Sequence, residues 1–544
     1  RDPAPPAPGP PELKRFVARC LEKDPLNRIG SAREAAQSIR EIRAVVQGDG
    51  LVTHMTSPLP RMDSASETPT QALSTRASAA SSLLKRRRGL LERLAAWWPF
   101  RSDKVQAIAV LPFENSSRDP EMEYLAEGLV EGLIERLSLV PGLRVAPWSA
   151  VLPLRGGGHD LRDVGEHLGV QAVLTGRVAH RGDELSVSAE LLDVRTLSHL
   201  WGEHYQRAFS ALMDVQRELC TRVAARLRMR VSGEVRERIV AAPSEDSEAF
   251  DLYLKGRHAW RTRTADGLQR AVASFQAALD RDPGFAPAYA GLADAYTLLS
   301  FLVGVIAPED AMPQARAAAK RALELRPDLA EAHASMALIL ESYEWDWAGA
   351  AREHFRALEL EPDNPNLQHR YGLHLLYRGR FAEAAARFQA ARKLDPLSPL
   401  IQVAKGLPAH FARRPEEAVP AFRHAVTLTP NFLIGHLMLG LASLERGKLE
   451  EAIASFEKAL AIAETPDGLA MLGHALARAG RGEEARAVLG RLDELAGSRY
   501  VNDYGRALIH LGLGDRERAL DSLERAVEAR CELLVYLGID LGEL

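Results

Sequence analysis

The sequence predicts a multidomain, mainly α-helical chain: a superhelical solenoid of helix pairs, preceded by a small α/β module and, at the start, by two short helices. Three observations carry this expectation. Gly372, Gly406 and Gly440 recur at 34-residue steps, as do Phe388, Phe422 and Phe456. Residues 105–113 form a nearly continuous apolar run, followed by helical and then alternating patterns, the succession of an α/β domain. A chain of 544 residues is too long for one core.

Composition narrows the function classes. Apolar content of 46% with 26% charged residues is ordinary for a globular protein. A net charge of -4 offers no concentrated basic face for nucleic acid and no attraction to an acidic membrane. The three cysteines (Cys20, Cys220, Cys531) lie far apart without CxxC spacing, which fits a reducing, cytoplasmic compartment. Residue 1 is Arg and no targeting pattern follows it, so the chain reads as a fragment or a processed product. The best apolar stretch, residues 90–100, is half the ~20 residues of a membrane span and contains Glu92 and Arg93. No span is predicted.

Residues 1–46 read as two short helices after a Pro-rich opening. Leu13, Phe16, Val17, Cys20 and Leu21 form one stripe, and Asp24-Pro25 stops the first helix. Ser31 caps the second, with Glu34 at capping-box spacing. The run RCLEKDPLNRIGSAREAAQSI, residues 19–39, resembles the last two helices of protein kinase catalytic domains through Cys20, Leu21, Asp24, Pro25 and Arg28; Ile29 stands where that family often has proline. The resemblance implies that Arg28 is the lower-lobe arginine that pairs with a glutamate of the activation segment. It also implies that the Gly-rich loop, the ATP lysine and the catalytic aspartates belong to a core this sequence does not contain. No catalytic residue is therefore assigned, and ATP and magnesium are expected only for that missing core.

Residues 47–103 are rich in Ser, Thr, Pro and Ala without periodicity, and a disordered linker is expected. Its hydroxyl-rich middle is either an autophosphorylation tract or a plain spacer. Lys85, Arg86, Arg87 and Arg88 precede the apolar Leu90, Leu91, Leu94, Trp97 and Trp98, a pattern read as a docked helix.

Residues 104–232 carry the α/β pattern. The run 105–113 predicts a strand covered on both faces. Asp119-Pro120 predicts a helix start, continued by Tyr124, Leu125, Leu129, Leu133 and Leu137. A strand at 143–146, a helix at 160–168, a hairpin about Arg181, Gly182 and Asp183, and a helix from Leu212 follow. The pieces AVLPFENSSRDPEMEYLAEGL, LGVQAVLTGRV and HLWGEHYQR resemble the TolB-type amino-terminal domain, which joins bacterial kinase, cyclase or response-regulator regions to repeat arrays. Leu197 departs from that pattern, where glycine is usual. Gly156, Gly157 and Gly158 lead into His159 and Asp160 rather than Lys-Ser/Thr, so a loop and not a phosphate cradle is expected.

Residues 247–532 hold the repeats, about eight in number, with a tail at 533–544. Ala384, Ala418 and Ala452 keep the 34-residue step, Leu489 and Leu523 continue the Phe position, and Pro396 and Pro430 end helices. This is similar to the tetratricopeptide pattern. The resemblance implies a right-handed superhelix whose concave groove grips protein or peptide ligands. It implies groove-facing positions at His369, Leu373, Tyr377, Val403, Leu407, Phe411, Leu437 and Leu441. The chaperone-binding branch of that family presents Lys and Asn there to hold a terminal carboxylate. These residues are mostly apolar, so an apolar helix or extended segment is the expected ligand; alternatively, a terminal helix of the same chain covers them.

No metal site is predicted. His369 and His374 are five apart, off one helix face, no HExxH or GxSxG occurs, and His199 and His204 beside Trp201 read as structural. The functional expectation is a binding scaffold of a bacterial serine/threonine kinase signalling protein. The alternatives are an active kinase, if the full-length gene restores the core, and a stand-alone repeat adaptor.

Overall fold

The structure, a computed structural model, describes residues 105–536 apart from 118, 120–121, 157, 228, 230–231 and 242–243. The kinase-like helices with Arg28, the Ser/Thr-rich linker, the basic run at 85–88 and residues 537–544 lie outside the described residues.

Six strands form one mixed sheet: β1 (Ala107–Val110), β2 (Glu114–Asn115), β3 (Arg144–Val145), β4 (Ala172–Arg181), β5 (Glu184–Asp193) and β6 (His199–Ala208). Their order is β3-β1-β4-β5-β6, with β2 also on β4. β1 runs parallel to β3 and β4, while β4, β5 and β6 pair antiparallel. All four residues of β1 are buried, as a strand covered on both faces requires. β5 alternates instead: Leu185, Val187, Ala189 and Leu191 are fully buried and Glu190 is exposed.

Helix Glu123–Ser138 covers the sheet with Leu125, Leu129, Leu133 and Leu137. It starts later than Asp119-Pro120 predicts: Met122 holds the cap position without a side-chain bond, and the Asp119 carbonyl accepts from the Asn115 side chain. Asp160 does cap Leu161–Leu168, accepting from the Arg162 N–H. Leu197 takes a left-handed φ of 55°, the conformation in which glycine carries no steric cost, and β6 follows directly.

Eight helix pairs follow. They are Ser247–Arg261 with Ala265–Arg281, Ala286–Phe301 with Pro308–Leu325, Ala330–Ile339 with Trp347–Leu360, and Pro365–Tyr377 with Phe381–Leu394. The fifth pairs an interrupted first helix, Pro399–Ala404 and Leu407–Phe411, with Pro415–Leu428. Leu433–Glu445 with Leu449–Ile462, Pro466–Arg478 with Gly482–Ala496, and Asp503–Gly512 with Arg516–Glu528 complete the series.

The 34-residue signature has a direct packing cause. A methyl group on Gly372 would lie 2.5 Å from Phe388, and one on Gly406 2.6 Å from Phe422. Each Phe thus lies against the bare backbone of its own repeat's first helix. Phe275 goes further and fills the space over both Gly256 of its own repeat and Gly291 of the next. The fifth repeat breaks this regularity through Pro408, which has no N–H to offer the Ala404 carbonyl; Gly406 bonds back to Val403 instead and the helix restarts at Leu407.

The α/β module meets the first repeat through ions. Glu127, 7% exposed, lies between Arg155, Arg261 (3.0 Å) and His258 (2.7 Å). Glu131 pairs with Arg257 at 2.7 Å and with Arg261, and Arg257 reaches Glu331 of the third repeat at 3.4 Å. Tyr124 donates to Asp251 at 2.6 Å. At the other end the array returns on itself: the Tyr500 N–H donates to the Gly304 carbonyl at 2.6 Å, and Arg530 donates to the Tyr343 carbonyl at 3.1 Å. Among the described residues no helix is long and apolar enough to cross a membrane.

Candidate binding groove

Residues four apart on a helix share a face. His369, Leu373 and Tyr377 therefore align on the first helix of the fourth repeat, and Leu437 and Leu441 on that of the sixth. Val403, Leu407 and Phe411 keep the same spacing in the fifth repeat despite its interruption.

The structure brings most of them together. Tyr377, Val403, Leu407 and Phe411 belong to one buried cluster against which Leu373 packs. Leu437 and Leu441 join the neighbouring cluster of the sixth and seventh repeats. His369 stands apart from its apolar neighbours only in name. It is buried, its ring lies 5.8 Å from that of Phe388, and burial together with Arg370 pulls its pKa down to about 4, so it is a neutral ring here.

One further member of the fourth-and-fifth-repeat cluster comes from far along the chain: Val535, on the 3-10 segment Glu532–Tyr536. Leu534 beside it is buried as well. Residue 533 opens the expected tail, yet this part of it is packed structure rather than a free end. The sequence signal was the short apolar run at 533–537. Glu532 enters with it and is 9% exposed; burial and the nearby Asp467 push its carboxyl up to about 8. Asp467, whose own carboxyl burial pushes up, accepts from Asn502 at 2.7 Å.

Polar groups that residue spacing does not single out lie beside the same cluster, the buried His410 ring 4.9 Å from that of Phe411. His410 Nδ1 lies 2.8 Å from Glu445 Oε2, and Arg413 donates to Glu445 at 2.6 Å. A separate group, Glu341, His354 and His374, converges from three elements of the third and fourth repeats. Cys220 and Cys531 are buried free thiols, and burial pushes Cys220 up to about 12, which makes it inert.

Comparison with family models matches four ranges of the chain. Residues 370–432, 409–468 and 443–502 fit tetratricopeptide repeat models. Residues 103–222, the α/β module, fit the model described as HilA/YgeH-like transcriptional regulator, second domain. A relative named "Putative adenylate cyclase 3", from Rhizobium meliloti (strain 1021), is 33% identical over 248 residues, 45% of this chain and 42% of its own length. The chain thus spans less than half of that curated relative. Solved structures with similarity include pilF of Pseudomonas aeruginosa (21% identity, TM-score 0.30, 40% of this chain and 93% of that one). Another is a tetratricopeptide repeat protein from Parabacteroides merdae (15% identity, TM-score 0.36, 49% and 99%). The helix pairs, the 34-residue glycine and phenylalanine steps and the matched models agree: the chain carries an array of tetratricopeptide repeats.

Proposed function

We propose that the array is a protein-interaction scaffold whose concave face at the fourth to sixth repeats takes an apolar helix or extended segment. The observation that carries this is Val535 in the cluster of Tyr377, Val403, Leu407 and Phe411. The chain's own Leu-Leu-Val-Tyr segment acts there as a stand-in for a ligand, and a partner of the same chemistry exchanges with it. The network around Glu127 and Glu131 makes the α/β module a rigid joint, which fits a TolB-type connecting domain.

The test uses a fluorescent peptide of residues 531–540 titrated against the full chain. Val535→Glu, which expels the internal segment, should bind the peptide more tightly than the parent chain does. Leu407→Glu should abolish binding, and an acidic-tail peptide should not bind at all. Equal, weak binding by all three chains, each folded by circular dichroism, would refute the groove.

For the whole protein we propose a bacterial signalling enzyme with its catalytic part ahead of the scaffold. The likeness of residues 19–39 to a kinase lower lobe supports a serine/threonine kinase. The relative named as an adenylate cyclase supports a second reading, a nucleotide cyclase. Incubating the full-length gene product with ATP separates them, since one yields phosphoprotein and the other cyclic AMP. A product of neither kind favours the stand-alone adaptor.

A further inference from the structure

We propose that Glu341, His354 and His374 form a site for one divalent cation of the zinc class, riveting the third repeat to the fourth. Glu341 sits in the π-helical turn Leu340–Glu344, His354 on Trp347–Leu360 and His374 on Pro365–Tyr377. All three are buried, and each offers one donor atom, the three atoms lying within 4.8 Å of one another. Glu341 Oε2 is 2.8 Å from His374 Nδ1 and 3.4 Å from His354 Nε2.

The Glu341–His374 contact is at ordinary hydrogen-bond distance, but the Glu341–His354 contact lies beyond the usual N–H···O range and hydrogen bonding alone leaves it unexplained. A cation about 2.0–2.1 Å from each donor sets tetrahedral ligands about 3.3–3.4 Å apart, the separation of the Glu341–His354 pair. Two imidazoles and one carboxylate suit zinc and its transition-metal neighbours, whereas calcium and magnesium take mainly oxygen. Burial points the same way: a carboxylate taken out of water as fully as that of Glu341 needs a partner of opposite charge, and a divalent cation supplies one.

The backbone is distorted at this point. The π turn inserts a residue into the helix, Trp345 follows with a left-handed φ of 58°, and the Asp346 N–H closes the turn onto the Leu340 carbonyl. Bulky residues adopt that φ at a cost, and π turns of this kind persist where they place a functional side chain. Aromatic walls fix the rings: Tyr371 stacks on His374 at 5.9 Å and 16°, and Trp347 lies 6.3 Å from it. Three protein ligands leave a fourth position for water or another small ligand.

The full chain, stripped by chelator and dialysed, is titrated with Co²⁺, whose visible absorption reports tetrahedral coordination, and then with Zn²⁺ as competitor. One equivalent of cobalt should give a band that zinc erases, and thermal unfolding should move upward with metal. His354→Ala and His374→Ala should each weaken cobalt binding by more than about a hundredfold, beyond what loss of an outer-shell partner costs. Glu341→Gln, which keeps a hydrogen-bond acceptor, should weaken it too, while His369→Ala, outside the cluster, should not. A folded, stripped chain that shows no band at one equivalent overturns the site, whether or not the variants fold. A band that survives in both histidine variants overturns it equally.

Discussion

The fifth and sixth repeats and the joint between module and first repeat are held together by opposite means. In the repeats, Phe422 and Phe456, both fully buried, lie on the glycine backbones of Gly406 and Gly440, and the device recurs every 34 residues. At the joint, Glu127 and Glu131 collect three arginines and a histidine, each supplied once, from positions up to 134 residues away. The first device is non-directional and tolerates neighbours of the same shape. The second is directional, and each member depends on the rest. A solenoid grows by copying the first; a fixed junction with a different domain needs the second.

The largest effect is expected from breaking the apolar device. Phe422→Ala should cost about 3–5 kcal/mol, because the array cannot collapse around the space it leaves over Gly406. Denaturant unfolding measures this, and since each repeat leans mainly on its neighbours the loss should spread through the fourth to sixth repeats. A cost under about 1 kcal/mol would mean that the Gly–Phe fit is not what holds them.

At the joint, Glu127→Ala should cost less, about 2–3 kcal/mol, because Arg261 keeps Glu131 while Arg155 loses its closest partner. A double-mutant cycle with Arg261→Ala should show coupling well above 0.5 kcal/mol, as contacting members of one network do. Additive effects would show that the contacts are decorative.

This contrast also explains what was legible in the sequence. The repeat register, the hairpin of β4 and β5 and the Asp160 cap all rest on local or periodic patterns, and periodicity is visible in one chain. The joint was not legible, because nothing in the sequence near Glu127 points to Arg261. The same holds for Glu341, His354 and His374. These three match no short ligand spacing, because they come from three elements that superhelical stacking brings together. Pro408 was in plain view, yet the fifth repeat's first helix reads as continuous until the missing N–H is counted. Of the groove, the apolar positions were readable from the repeat ruler, but their cover was not: whether Val535 or a partner lies over them is a matter of tertiary contact.

A third test concerns that cover, and its reach is one segment rather than the array. Glu532 ionises near 4.5 when free but is pushed up to about 8 when docked beside Asp467, Cys531 and Tyr500. The raised value means that docking favours the neutral acid. Its contribution is complete below pH about 4.5 and is lost as pH rises to about 8. Hydrogen exchange of residues 531–536 should therefore quicken across that window, beyond the chemical dependence on pH, and Glu532→Gln should remove the excess. Unchanged protection would place the hold on this segment in Val535 alone.

The smallest effect sharpens the comparison most, because here periodicity and energy part company. Arg380, Arg414 and Lys448 stand at 34-residue steps, each paired with a glutamate three positions on: Glu383, Glu417 and Glu451. By recurrence alone this pair looks as important as the phenylalanine. Arg414 and Glu417 are both more than half exposed, though, and water solvates them nearly as well apart as at 2.9 Å. Arg414→Ala should change stability by about 0.5 kcal/mol or less, and added salt should erase even that. A loss of 2 kcal/mol would put the exposed pair on a level with Glu127 and would mean that the repeats, too, are fastened by charge. With the expected outcome, the 34-residue period marks where the helices turn, and burial decides which of its members bear the stability.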